Sequence, residues 1–167
     1  NGYGITECGP LVSMNTDTLH EPYSIGTVCP GLEYKVVDKN EDNVGELCVK
    51  GKSVSLGYYK DPASTKAVFD ADGFFHTGDL VKEDSKHRLF IAGRKKNVII
   101  LENGKNVCPE EIETEVANGI EYARECVAYM DQIGNDKLKQ GICLGLYIED
   151  PELRKNTEKI RQDFREL

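Results

Sequence analysis

Gly104-Lys105-Asn106-Val107-Cys108-Pro109-Glu110-Glu111-Ile112-Glu113 runs from a turn into the start of a helix, and it decides the architecture of the rear of the chain. Asn103-Gly104 is the strongest two-residue hairpin signal, and it follows the β-rich run Val98-Ile99-Ile100-Leu101. Pro109 stands where a first helical position belongs, because the N–H it lacks would have no helical acceptor there. Glu110, Glu111 and Glu113 load the positive end of the helix dipole, Ile112 and Val116 recur on one face, and Gly119 supplies a stop. The pattern predicts a hairpin and then a helix over 109–119. Dipole complementation accounts for the three glutamates, which need no catalytic task.

Two strands are predicted downstream, over 125–130 and 142–148, with Gly134-Asn135-Asp136 as the turn between them. Asp150-Pro151 opens a last amphipathic helix with Leu153, Ile160, Phe164 and Leu167 on one side. Upstream, strands are predicted over 33–38, 45–51 and 88–92, and a helix over 61–69 begins at Asp61-Pro62. Short strands divided by turns suggest a curled sheet or a distorted barrel. The expected class is α+β: a distorted small β-barrel subdomain over 1–93, then a small α+β domain over 94–167. The chain opens at Asn1 inside a motif, and its last helix reaches Leu167 in register without a C-cap, so both ends are expected to be cuts in a longer polypeptide.

Composition narrows the function classes. With 167 residues, 39% hydrophobic and 30% charged, the chain has the make-up of an ordinary globular protein. A net charge of −8 argues against nucleic acid as a partner, since phosphate neutralisation needs a clustered basic surface. No apolar run is long enough for a transmembrane segment. The six cysteines contain no C-x-x-C pair, and none of the three histidines stands at ligand spacing from a cysteine, so a zinc site is not expected from spacing. Cys48, Cys126 and Cys143 lie in apolar runs and read as small core residues in a reduced, cytoplasmic protein.

Three further motifs precede the hairpin. In Gly2-Tyr3-Gly4-Ile5-Thr6-Glu7, the glycines permit close backbone approach to a ligand, Thr6 offers a hydroxyl, and Glu7 offers a hard oxygen for Mg²⁺. In Gly73-Phe74-Phe75-His76-Thr77-Gly78-Asp79-Leu80, Asp79 follows a glycine in what reads as a polar turn. A carboxylate there can accept two hydrogen bonds from a ribose diol, although an isolated Thr-Gly-Asp is commonly a solvated turn. His76 reads as a partly buried structural histidine more readily than as a general base. In Gly93-Arg94-Lys95-Lys96, the Arg94 fork can bridge ribose oxygens, while Lys95 reads as a solvated linker charge.

The four motifs, in this order and spacing, resemble the adenylate-forming superfamily of acyl-CoA synthetases, adenylation domains and luciferases. Gly-Lys-Asn in the hairpin looks most like the long-chain fatty acyl branch. The resemblance implies ATP/AMP, Mg²⁺ and coenzyme A as cofactors and a small-molecule carboxylic acid as partner. It places Tyr3 by the adenine, Thr6 by the phosphate and Glu7 on the magnesium, with Gly4 among the cofactor-binding residues. It puts Asp79 and Arg94, 15 residues apart, on the ribose, and Ile91 against the nucleotide. Lys96 falls at the hinge where the rear domain rotates, and Gly104 on the hairpin that lines the pantetheine channel.

Two of the family's lysines have no counterpart here: the one ending its phosphate loop and the one in its C-terminal Pro-x-Thr-x-x-Gly-Lys-like run. Lys137, Lys139, Lys155 and Lys159 lack that context. The chain by itself is therefore expected to be inactive. An acyl-AMP ligase or an adenylation domain that loads a carrier protein remains an alternative, as does a non-catalytic nucleotide-binding module.

Overall fold

The computed structural model describes residues 1–16, 21–101, 103–132 and 140–166, which fall into two units, Asn1–Lys96 and Asn97–Leu167. The first unit holds β1 (Gly2–Gly4), β2 (Leu11–Met14), β3 (Thr27–Val28), β4 (Leu32–Val37), β5 (Val44–Gly51), α1 (Pro62–Val68), β6 (Phe75–Glu83) and β7 (Leu89–Arg94). The strands make two antiparallel sheets, β1-β2-β3 and β4-β5-β6-β7. A single bridge, Gly26 to Leu89, joins the chain just before β3 to β7. Among the described residues neither sheet closes on itself, so the barrel-like part is a curl and the α+β class holds.

Alternation on β5 explains why the larger sheet has two different faces. Leu47 and Val49 point one way and join Cys8, Val12, Phe75, Val81 and Leu89 in the core. Burying a side chain such as Leu47 contributes about 1.5–3 kcal/mol. Glu46 and Cys48 point the other way, under Lys35, Asp70, His76 and Lys95. Cys48 is thus fully buried, as its sequence context predicts, but on the polar side of the sheet and outside the main apolar cluster. Asp61 caps α1 by accepting the Ser64 N–H at 3.0 Å.

The second unit holds β8 (Ile99–Ile100), β9 (Asn106–Val107), α2 (Pro109–Gly119), β10 (Ala123–Gln132), β11 (Gln140–Ile148), α3 (Pro151–Lys155) and α4 (Thr157–Glu166). β8 and β9 pair across the Asn103-Gly104 turn, and α2 occupies the span its sequence predicts. Val116, Ile120 and Ala123 form its buried core, with Ile112, Leu144, Leu146 and Phe164 packed around them. Glu110 accepts from the Asn97 side chain at 2.7 Å and Glu113 from the Ala128 N–H at 2.9 Å, which gives both carboxylates structural work. The single helix expected after Pro151 is instead two. Asn156 ends α3, and its side chain accepts the Lys159 N–H at 3.1 Å, starting α4. Cys126 and Cys143 are only half-buried. The predicted turn over 134–136, and with it Lys137, Lys139 and Leu167, lies outside the described residues.

Candidate nucleotide site

A bulge creates the central feature of the first unit. Cys48 pairs with His76 and Glu46 with Leu80, so one residue of β5 lies opposite three of β6: Thr77, Gly78 and Asp79. Gly78 takes φ 73°, a left-handed conformation that glycine adopts without strain. The Thr77 hydroxyl donates to the Leu47 carbonyl at 2.8 Å and accepts the Asp79 N–H at 3.1 Å, fixing the bulge from within. Asp79 is therefore not in a solvated turn, as its sequence suggested. It sits in β6, 5% exposed, continuing the buried alternation of Phe75, Thr77 and Val81.

Two partners hold the buried carboxylate. The Tyr3 hydroxyl donates to Asp79 Oδ2 at 2.5 Å, and Arg94 Nε lies 3.0 Å from Asp79 Oδ1. Burial, and after it the bond to Asp79, pushes the Tyr3 phenol above its ordinary value, so it stays a donor. Asp79 and Arg94 are also register partners across β6 and β7. Thr77, Gly78, Arg94, Lys95 and Lys96 line a cleft of about 330 Å³ beside this constellation. Three motifs that are distant in sequence thus meet at one carboxylate, and their arginine opens onto a concave surface.

Other predicted site residues lie in less connected places. Thr6 is exposed in the short 3₁₀ turn Thr6–Cys8. Glu7, in the same turn, is half-buried, and its Oε1 accepts the Tyr58 hydroxyl at 2.8 Å. A carboxylate with one oxygen so engaged still offers lone pairs to a hard cation. Ile91 is 46% exposed on β7. Gly4 is required for a local reason: a Cβ there would stand 2.7 Å from the Pro10 carbonyl oxygen. Gly104, in the second unit, would have open space around a Cβ, but its φ of 79° favours glycine.

Lys95 is the residue whose sequence reading needs most correction. Its ammonium lies 2.7 Å from Oε2 of Glu46, a carboxylate 3% exposed, and 3.5 Å from Asp38. Burial pushes Glu46 up, but hydrogen bonds from Lys95 and then His76 outweigh it and hold the carboxyl below its ordinary range. Glu46 Oε1 also accepts the Gly78 N–H at 3.2 Å, tying the bulge to the segment that carries Arg94 and Lys96. Lys96 itself is exposed. A glutamate inside the otherwise apolar run before Cys48 is the sequence signal for this anchor, and nothing in its spacing names the partner.

The pattern of the AMP-binding enzyme family matches residues 1–59. The chain is 46% identical over 121 residues to the long-chain-fatty-acid–CoA ligase of Salmonella typhimurium, which covers 69% of this chain and 21% of the relative. It is 34% identical over 179 residues to the peroxisomal long chain acyl-CoA synthetase 6 of Arabidopsis thaliana, covering 99% of this chain and 24% of that one. Among solved structures, ATP-bound MatB from Rhodopseudomonas palustris superposes with a TM-score of 0.75 at 31% identity, over 88% of this chain and 30% of MatB. The chain therefore spans about a fifth to a quarter of the length of the curated relatives it matches. With motif order, fold and these likenesses in agreement, residues 1–59 match the AMP-binding enzyme family, and the chain over most of its length is similar to adenylate-forming acyl-CoA ligases.

Proposed function

We propose that this chain serves as the rear segment of an AMP-forming acid–thiol ligase that activates a long-chain fatty acid. In the first half-reaction a carboxylate oxygen attacks the α-phosphorus of ATP, giving an acyl-adenylate and releasing pyrophosphate. In the second, the CoA thiol attacks the acyl carbon, the thiol proton is lost, and AMP leaves. Asp79 accepts from the ribose hydroxyls, with Tyr3 holding its orientation and Arg94 donating from the cleft. Tyr3 and Gly4 border the base, Ile91 packs against the nucleotide, and Thr6 donates to the phosphate. Glu7 holds Mg²⁺, which supplies charge neutralisation at the phosphates. Lys96 is the pivot between residues 1–93 and 94–167 of the functional enzyme, and Gly104 keeps the acceptor path open.

The observation that supports this reading best is the convergence of Tyr3 and Arg94 on the buried carboxylate of Asp79 beside a cleft. Two curated relatives named for long-chain substrates support the substrate class. The test supplies the whole protein with ATP, Mg²⁺, oleate and CoA. Formation of AMP, pyrophosphate and oleoyl-CoA is expected. Formation of ADP and phosphate would overturn the reaction class, and adenylate without any CoA thioester would point to a carrier-protein acceptor.

A further inference from the structure

Glu46 and Cys48 lie two residues apart on β5 and so share a face, and His76 is the register partner of Cys48 on β6. One donor atom from each meets the others within 4.8 Å. His76 Nδ1 is 3.0 Å from Glu46 Oε2 and 3.4 Å from Cys48 Sγ. In a tetrahedral site with metal–ligand bonds of about 2.0–2.3 Å, ligand atoms stand roughly 3.3–3.8 Å apart, so small rotations would bring this trio into place. Carboxylate, thiolate and imidazole together are a donor set that zinc accepts. On the far side of the ring, His76 Nε2 faces Asp70 Oδ2 at 3.8 Å. That is beyond hydrogen-bond reach, and the same oxygen accepts the Lys35 ammonium at 2.6 Å. A small turn of the ring would bring the carboxylate behind the second nitrogen, the arrangement that fixes the tautomer of a metal-bound histidine and leaves Nδ1 as ligand.

The trio is also sheltered. Cys48 is fully buried and Glu46 nearly so, while His76 is half-exposed and gives solvent a way in. The present counter-charge of Glu46 is the Lys95 ammonium, which sits on the same Oε2. A divalent cation would take its place. Spacing along the chain hides the arrangement, because Cys48 and His76 are 28 residues apart and meet only through strand pairing.

We propose that Glu46 Oε2, Cys48 Sγ and His76 Nδ1 form a binding site for zinc or a similar divalent d-block cation, which displaces Lys95. On binding, the Cys48 S–H bond breaks, its proton goes to solvent, and a metal–sulfur bond forms with no electron transferred. Water completes the fourth position. The site is separate from the Glu7 magnesium position and does not depend on the ligase reading.

Cobalt(II) titration of the reduced 167-residue chain tests it, read by the near-ultraviolet thiolate-to-cobalt band. One equivalent is expected to bind with that band, which should vanish in both Cys48→Ser and His76→Gln and persist in the control Cys29→Ser. Lys95→Ala should tighten binding about threefold or more, because it removes the competing positive charge. No thiolate band up to about 1 mM cobalt, or a band that survives in either Cys48→Ser or His76→Gln, would overturn the site. Should Cys48→Ser fail to fold, Lys95→Ala decides: tighter binding carries the proposal, and unchanged or weaker binding overturns it.

Discussion

Asp79 and Arg94 face each other as register partners on neighbouring strands, and the carboxylate of one lies 3.0 Å from Nε of the other. The two side chains differ sharply in exposure, at 6% and 54%. The buried partner acts as a fixed post and the exposed one as the reaching group. Solvent screens the exposed guanidinium, so the chief consequence of the pair lies in how the buried carboxylate aims it.

Arg94→Lys keeps the charge but removes the planar fork. Loss of a charge-assisted hydrogen bond costs about 1.5–3 kcal/mol, so AMP binding to the whole protein should weaken roughly tenfold to a hundredfold. Isothermal titration measures it. Equal affinity in the lysine variant would take Arg94 out of the site.

Tyr3→Phe deletes one hydroxyl and leaves the ring in place. Asp79 then loses the donor on Oδ2, and AMP affinity should fall about fivefold, or about 1 kcal/mol. An adenine contact alone would leave affinity nearly unchanged in the phenylalanine variant, because the stacking surface survives.

Leu47→Ala removes a fully buried side chain from the centre of the first unit. Urea denaturation should show a loss of about 2–5 kcal/mol. A loss below about 1 kcal/mol would mean that the sheet packs otherwise than described.

Asp70 gives an acid-range signature. Its carboxyl is held down to about 2 from an ordinary value of 3.8, first by the Lys35 hydrogen bond and then by the Phe74 N–H. A folded-state value below the unfolded one means that the stabilisation is complete above pH 3.8 and is lost as pH falls towards 2. Asp70→Asn should therefore flatten the fall in urea midpoint across that window. An unchanged slope would show that Asp70 is not linked to folding there.

Local chemistry made much of this fold readable. Pro109 and the glutamates behind it marked α2 correctly because helix entry is decided within one turn of chain. The strand at 44–51 was visible from β-rich composition between glycines. Thr77-Gly78-Asp79 misled because a bulge and a turn need the same residues: a left-handed glycine flanked by short hydrogen-bonding side chains. Only pairing with β5 shows that the strand continues through it. Lys95 misled for a related reason, since its partner Glu46 lies 49 residues earlier and reaches it through the sheet. Asn156 broke the last helix where amphipathic spacing alone ran on, because its side chain serves better as a cap than within a helix. Motif resemblance placed Asp79 and Arg94 on one sugar and Tyr3 by the base, and it gave no sign that the Tyr3 hydroxyl would donate to Asp79.

The proposed grip of Asp79 on a sugar diol is most directly tested by comparing AMP with 2′,3′-dideoxy-AMP on the whole protein and on its Asp79→Asn variant. The unaltered protein should prefer AMP by about tenfold or more, since a site built to hydrogen-bond hydroxyls rejects the analogue lacking them, and the preference should collapse in the variant. Equal binding of both nucleotides to the unaltered protein, or a preference that survives Asp79→Asn, would contradict the assignment of Asp79 to the ribose.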